Sequence, residues 1–215
     1  PMERPVTTIH YGVATNTGRV RDHNEDSIGV FPELGLFVVA DGMGGHQGGE
    51  VASALVVEAI AESVRGGESL SDAIQRAHCT VLDAGREGRG APGMGATVVA
   101  LRVADRDYEI AWVGDSRAYR WNGHLQLLTR DHSYVQRMID AGALTEEEAR
   151  EHPDRSVITQ ALGAEGMDAV AVDVVTDTLV PGQKLLLCSD GLTSMVDDAV
   201  IATVMAGKGN QQTLT

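Results

Sequence analysis

Val38-Val39-Ala40-Asp41-Gly42-Met43-Gly44-Gly45-His46-Gln47-Gly48-Gly49-Glu50 joins an apolar run to a carboxylate, a glycine-rich turn and the start of a helix. Leu36 to Ala40 reads as a strand buried on both faces that delivers Asp41 to its end, where ligands usually sit. Gly42, Gly44 and Gly45 permit backbone angles closed to other residues, so main-chain carbonyls can approach a ligand closely. A carboxylate oxygen beside an exposed carbonyl suits a hard divalent cation. The same Asp-Gly turn occurs in many folds without any metal, and by itself the stretch leaves both readings open.

Upstream, Ile9 to Thr15 alternates and runs into Asn16-Thr17-Gly18, the pattern of a strand leading to a turn. The charged stretch Arg19 to Asp26 follows, then a short strand over Ser27 to Phe31. Such a stretch can be a solvated loop. If the flanking strands pair with the Asp41 strand, Arg21 and Asp26 face its end, one offering a planar fork to phosphate oxygens and the other a carboxylate for a metal or its water.

Downstream, Gly48 to Arg65 spaces Ala52, Leu55, Val56, Ala59, Ile60 and Val64 as the buried face of a helix on a sheet. Ser69-Leu70-Ser71-Asp72 resembles a capping box before a second stripe, on which His78 reads as a packed helix residue and not a ligand. Period two then takes over in Ala96 to Val103, Tyr108 to Val113, Arg117 to Trp121 and Leu125 to Leu128, a meander of antiparallel strands with a hairpin at Asn122-Gly123. Gly114-Asp115-Ser116 puts Asp115 at a strand end, where a turn aspartate is the default reading. Helices at Ser133 to Ala141 and from Thr145, with the irregular His152 to Ser156, form a flap over about 133–157. Asp168 to Thr176 alternates, and Lys184 to Cys188 is a second buried aliphatic strand closed by Ser189-Asp190-Gly191. Asp197 and Asp198 suit the start of a helix over Ala199 to Met205.

With 215 residues and 43% hydrophobic content, the chain can bury the core of a single domain, and only 4% aromatics make that core aliphatic. A net charge of −14 argues against nucleic acid and anionic membrane surfaces as partners. Cys79 and Cys188 are no disulfide framework, which fits a reducing cytoplasm, and no apolar run approaches a membrane span.

Asp41, Asp115 and Asp190 share one design, a carboxylate ending an apolar strand before a turn. Together with the Arg-Asn-Glu-Asp loop they suggest strand ends converging on one cluster, and such carboxylates repel unless cations lie between them. Oxygen ligands without a His or Cys set point to magnesium or manganese. Other phosphate chemistries lack their residues. A cysteine phosphatase needs Arg six positions after Cys, where Gly85 and Ser194 stand, and Asp105-Arg106-Asp107 is followed by Tyr108-Glu109 instead of the Thr or Val of a haloacid-type nucleophile. No P-loop motif occurs, and Gln47 stands where a dinucleotide fingerprint has its third glycine.

Six segments in order, Arg21 to Asp26, Ala40 to His46, Gly93 to Thr97, Val113 to Arg117, Ile158 to Gly163 and Cys188 to Leu192, resemble the successive motifs of the metal-dependent protein phosphatases, the type-2C serine/threonine family, in its bacterial form. The resemblance implies an α+β fold, a four-layer α/β/β/α sandwich with two central antiparallel sheets, spanning residues 1–215 as one catalytic domain. It implies hydrolysis of phosphoserine and phosphothreonine by a water activated by two Mn2+ or Mg2+ ions, with a third, weaker ion. Asp41 would bridge two ions, the Gly42 carbonyl and Asp190 would each hold one, and Asp26 would hold metal-bound water. Asp115 and the Ser156 carbonyl would take the third ion, Arg21 would clamp the phosphate, and His46 would either assist the leaving group or only stabilise its loop. Implied partners are phosphorylated proteins and a serine/threonine kinase, with the enzyme a cytoplasmic monomer. One departure stands out: the family's further metal-binding Asp-Asn pair and closing strand have no counterpart after Asp198, so the chain reads as cut short, with weakened binding at the Asp190 ion. The rival reading is a non-catalytic or weakly active phosphoprotein-binding module, which the missing aspartate favours and the intact Arg21, Asp41 and Asp190 oppose.

Overall fold

The protein is described by a computed structural model over residues 8–18, 23–45 and 47–207. β1 (Asp26–Phe31) and β2 (Leu36–Met43) precede two long helices, α1 (Gln47–Arg65) and α2 (Leu70–Arg86). β3 (Gly95–Ala96), β4 (Val98–Ala104), β5 (Asp107–Val113), β6 (Arg117–Trp121) and β7 (Leu125–Leu127) follow. After α3 (Tyr134–Asp140) and α4 (Glu146–Glu151) come β8 (Asp173–Thr178), β9 (Lys184–Cys188), α5 (Asp190–Thr193) and α6 (Asp198–Ala206). One sheet runs β1-β2-β4-β5-β8, with β3 beside the far end of β2, and the other runs β7-β6-β9. Every ladder is antiparallel.

Alternation along the strands divides their side chains among three apolar layers. Leu36, Val38 and Ala40 of β2, with Val98 and Ala100 of β4, pack against Val56, Ile60, Ile74 and Val81 of α1 and α2. Phe37, Val39, Val99 and Leu101 point the other way, meeting Ala118, Leu185 and Leu187 of the second sheet. On that sheet's far face Tyr119, Leu186 and Cys188 pack against Ile201 and Met205 of α6. Three cores between four layers give the expected α/β/β/α sandwich. Period two is what permits it, since each central strand can serve two cores at once.

Four sequence expectations change. Ile9 to Thr15 is not a strand; these residues are exposed and pair with no strand among the described residues, and the Tyr11 ring rests 5.6 Å from that of Phe37. Alternation signals two faces and supplies no ladder partner. The four period-two strands are not one meander: β4 and β5 lie in the first sheet, β6 and β7 in the second. Gly114, at φ +105°, makes the crossing, and a Cβ there would stand 2.6 Å from the Thr97 side chain. β8 begins at Asp173 and not at Asp168, because Val170 and Ala171 give their amides to Gln75 Oε1 and Gln160 Oε1 instead of to a ladder. Asp190 does not close a turn; Ser189 is an N-cap and Asp190 the first residue of α5.

Other local signals hold. Ser69 caps α2 by accepting from the Asp72 amide, and Thr145 and Glu148 form a reciprocal box at α4. The excursion through α3 and α4 leaves and returns at one place, where Tyr134 N–H donates to Val157 O (2.8 Å) and Thr159 N–H to His132 O (2.7 Å). His78 is fully buried and is no ligand: Gly163 N–H donates to its Nδ1 and its Nε2 meets Met167 O, each at 3.0 Å.

Candidate metal centre

β2 does not stop at Asp41. It runs on to Met43 because β3 pairs with Gly42 and Met43, so the carboxylate leaves a strand held on both sides. Asp41 has the parity of Phe37 and Val39 and therefore faces the gap between the sheets. Gly42 N–H donates to Glu25 O at 3.1 Å, and the next pair inward is Asp26 opposite Asp41. That is a non-hydrogen-bonded pair, the kind in which facing side chains stand closest. Asp190 arrives from the other sheet at the end of β9, and Asp115 sits in the crossing between the sheets. Sandwich topology thus brings acids from distant positions to one end of the inter-sheet layer.

Electrostatics shows the acids acting on one another. The Asp41 carboxyl is pushed up from 3.8 to about 8, first by burial, then by the charges of Asp26 and Asp190, a hydrogen bond with Asp190, and the charge of Asp115. Asp115 is raised to about 6 by burial, then by Asp190 and Asp131. Asp26 is fixed in place: its amide donates to Asn24 Oδ1 (3.0 Å), and Ser189 Oγ donates to its Oδ2 (2.8 Å), tying the two sheets across the site. Asp198 is directed elsewhere, accepting from the Tyr119 hydroxyl at 3.0 Å.

The donor set fits a hard divalent cation. Its acids are oxygen donors that repel without a counter-charge, while the thiol of Cys188 is buried against Arg117 O. Among the described residues no three His, Cys, Asp or Glu side chains form a cage by themselves, so an ion here would take further ligands from carbonyls and water, as hard cations do. Close backbone packing carries the site. A Cβ on Gly42 would lie 2.0 Å from Gly49 O and 2.7 Å from Glu25 O, both main-chain atoms that cannot swing away. Gly42→Ala is therefore expected to cost at least about 2 kcal/mol, read as a lower urea midpoint at unchanged slope.

Of the expected site residues, the fold brings Asp26, Asp41, Asp115 and Asp190 into one electrostatic group. Gly42 adjoins it, and Ser156 is exposed in the turn closing the flap. Arg21 and His46 lie outside the described residues. Sequence reading missed Ser189 and the support around Asp115. There, Thr97 N–H donates to Asp41 O (2.8 Å), Thr97 Oγ1 bonds Ser116 Oγ (2.7 Å), and Arg117 holds Asp131 through Nε and Nη2. Ser189 adjoins a motif aspartate and Arg117 stands two residues from one, a signal available from the sequence; Asp131 carries none.

Residues 17–207 match the family described as Protein phosphatase 2C. The serine/threonine phosphatase stp of Listeria monocytogenes is 36% identical over 214 residues, which cover 93% of this chain and 84% of that protein. Among solved structures, the serine/threonine phosphatase Stp1 from Staphylococcus aureus aligns with a TM-score of 0.82 at 33% identity, over 95% of this chain and 87% of its own. The catalytic domain of the serine/threonine protein phosphatase PstP, solved in complex with two manganese ions, aligns with a TM-score of 0.73 at 33% identity, over 86% of this chain and 78% of its own.

Proposed function

The chain belongs to the protein phosphatase 2C family, and from that membership we propose that it hydrolyses phosphoserine and phosphothreonine in proteins with the aid of Mn2+ or Mg2+. The observation that carries the reading is the convergence of Asp26, Asp41, Asp115 and Asp190 at one end of the sandwich, with the Asp41 carboxyl at about 8. In this reading Asp41, the Gly42 carbonyl and Asp190 would hold the two ions, and Asp26 would contribute through water. Asp115, with the Ser156 carbonyl, takes a weaker third. When bound, such ions lower the pKa of a water and neutralise charge on a phosphoryl group.

The chain's own residues do the rest. The inter-sheet layer half-buries Asp41, and the partial loss of water strengthens the charge interactions in the site. Ser189 holds Asp26 in one orientation across the sheets. Arg21 clamps the substrate's phosphate oxygens with its planar fork. As water adds its oxygen to phosphorus and the bond to the serine or threonine breaks, the proton the water gives up balances the one the departing oxygen gains, passed on directly or relayed through His46. Residues 1–215 act as one domain and as a monomer, a single chain being enough to supply all these acids. Two free cysteines fit a cytoplasmic setting, where a serine/threonine kinase makes the substrates; among the described residues no helix is long and apolar enough to cross a membrane.

The test is hydrolysis of a small aryl phosphate and of a phosphothreonine peptide. Turnover with Mn2+ or Mg2+ that a chelator abolishes is expected. A folded chain that binds the phosphopeptide and releases no phosphate at saturating Mn2+ would overturn the enzymatic reading in favour of a binding module.

A further inference from the structure

Residues 129–132 run beside the turn that carries Asp115, and each is bonded either to that turn or to the strands β5 and β6 that flank it. Ala118 N–H donates to Thr129 Oγ1 (3.2 Å), Trp112 Nε1–H to Arg130 O (2.9 Å), Arg117 Nη2 to Asp131 Oδ2 (2.7 Å) and His132 N–H to Gly114 O (2.8 Å). The His132 ring completes the set, because Gly114 N–H donates to its Nδ1 at 3.2 Å. An Nδ1 that accepts leaves the ring proton on Nε2, which faces Asp173 Oδ2 at 3.4 Å, while Trp112 stacks against the ring at 6.4 Å and 27°. The His132 carbonyl takes the Thr159 amide, so the same residue closes the foot of the α3–α4 excursion. Gly114 is buried, and its amide needs this acceptor or loses a bond in a place water does not reach.

We propose that His132 is a positioning residue for Asp115: through Nδ1 it fixes the peptide on which that carboxylate stands, and through its main chain it joins that peptide to the foot of the flap. Placement of Asp115 for a divalent cation then depends on the ring. This rests on the reading of Asp115 as an ion ligand. An asparagine at 132 can present Oδ1 near the place of Nδ1, whereas a glutamine reaches toward the place of Nε2 and Asp173. The two separate the Gly114 bond from general packing.

The experiment compares His132→Asn and His132→Gln in the full chain by NMR hydrogen exchange at the Gly114 amide and by calorimetric titration with Mn2+. His132→Gln is expected to speed Gly114 exchange by about tenfold, the scale of one lost hydrogen bond, and to weaken the weakest Mn2+ step by roughly 10-fold or more, as loss of an outer-shell partner does. His132→Asn is expected to keep both within about threefold of the parent. Parental exchange and Mn2+ binding in His132→Gln, or equal losses in both variants, would overturn the proposal. Asp115→Asn is the control: if it leaves every Mn2+ step unchanged, the ion role of Asp115 fails, while Gly114 exchange still decides whether His132 fixes the turn.

Discussion

Asp41→Asn is expected to lower Mn2+-dependent phosphate release well beyond about 100-fold, the upper range for losing an outer-shell partner of a metal ligand. The amide keeps the volume of the carboxyl and still fits a half-buried place on β2, so the fold survives. What disappears is the charge proposed to bind cations, which also opposes Asp26, Asp190 and Asp115. The same substitution is therefore expected to raise the melting temperature of the metal-free protein at pH 8, because it removes a like-charge conflict from a desolvated site. Opposite shifts in activity and stability distinguish a site residue from a packing residue, which loses both together. Near-parental turnover in Asp41→Asn would remove this residue from the chemistry, and a lower metal-free melting temperature at pH 8 would contradict the electrostatic account.

The second large effect is on stability against pH without metal. Asp41 is raised to about 8 and Asp115 to about 6, whereas an unfolded aspartate titrates near 3.9. Between those values the native protein binds more protons than the unfolded chain, so stability falls as pH rises. The favourable contribution is complete below about pH 4 and is spent once pH has passed about 8. Each unit of separation corresponds to about 1.4 kcal/mol. Metal-free protein should therefore melt on the order of 10 °C lower at pH 8.5 than at pH 5, given about 2–4 °C per kcal/mol for a chain of this size. Mn2+ at about 100 times its dissociation constant restores roughly 2.7 kcal/mol, so the pH dependence should flatten as it is added. Calorimetric scans at both pH values with and without Mn2+ test this. A metal-free melting temperature that is level or rises between pH 5 and 8.5 would refute it.

Much of this architecture is legible in the residues. Helical stripes locate α1 and α2 almost to the residue, because Ser69 is a cap that fixes one start and the run of Ala52, Val56 and Ile60 has one face to bury. Strands whose two faces are both apolar, such as Val98 to Leu101, were equally plain. What sequence did not convey is which edge each strand meets. Ile9 to Thr15 alternates as well as β8 does, yet β8 has β5 to pair with and Ile9 to Thr15 has no ladder partner among the described residues. Likewise the meander of β4 to β7 divides between sheets at Gly114, a choice made by three-dimensional closure against Thr97 and not by any local period. Asp41, Asp115 and Asp190 could be nominated because each follows an apolar run. Asp131 and His132 could not, since no apolar run or turn marks residues 129–132 as the continuation of the β6–β7 hairpin that brings them to Arg117 and Gly114.

The acids stand on opposite jaws. Asp26 and Asp41 ride on one sheet and Asp190 on the other, with Trp112, Ile110 and Leu187 filling the space behind them. The filling of that space sets the gauge of the opening at the rim. Thickening or thinning it by a methylene, far from any substrate, is expected to change the spacing between carboxylates and, where these hold the ions as proposed, the size of cation that fits.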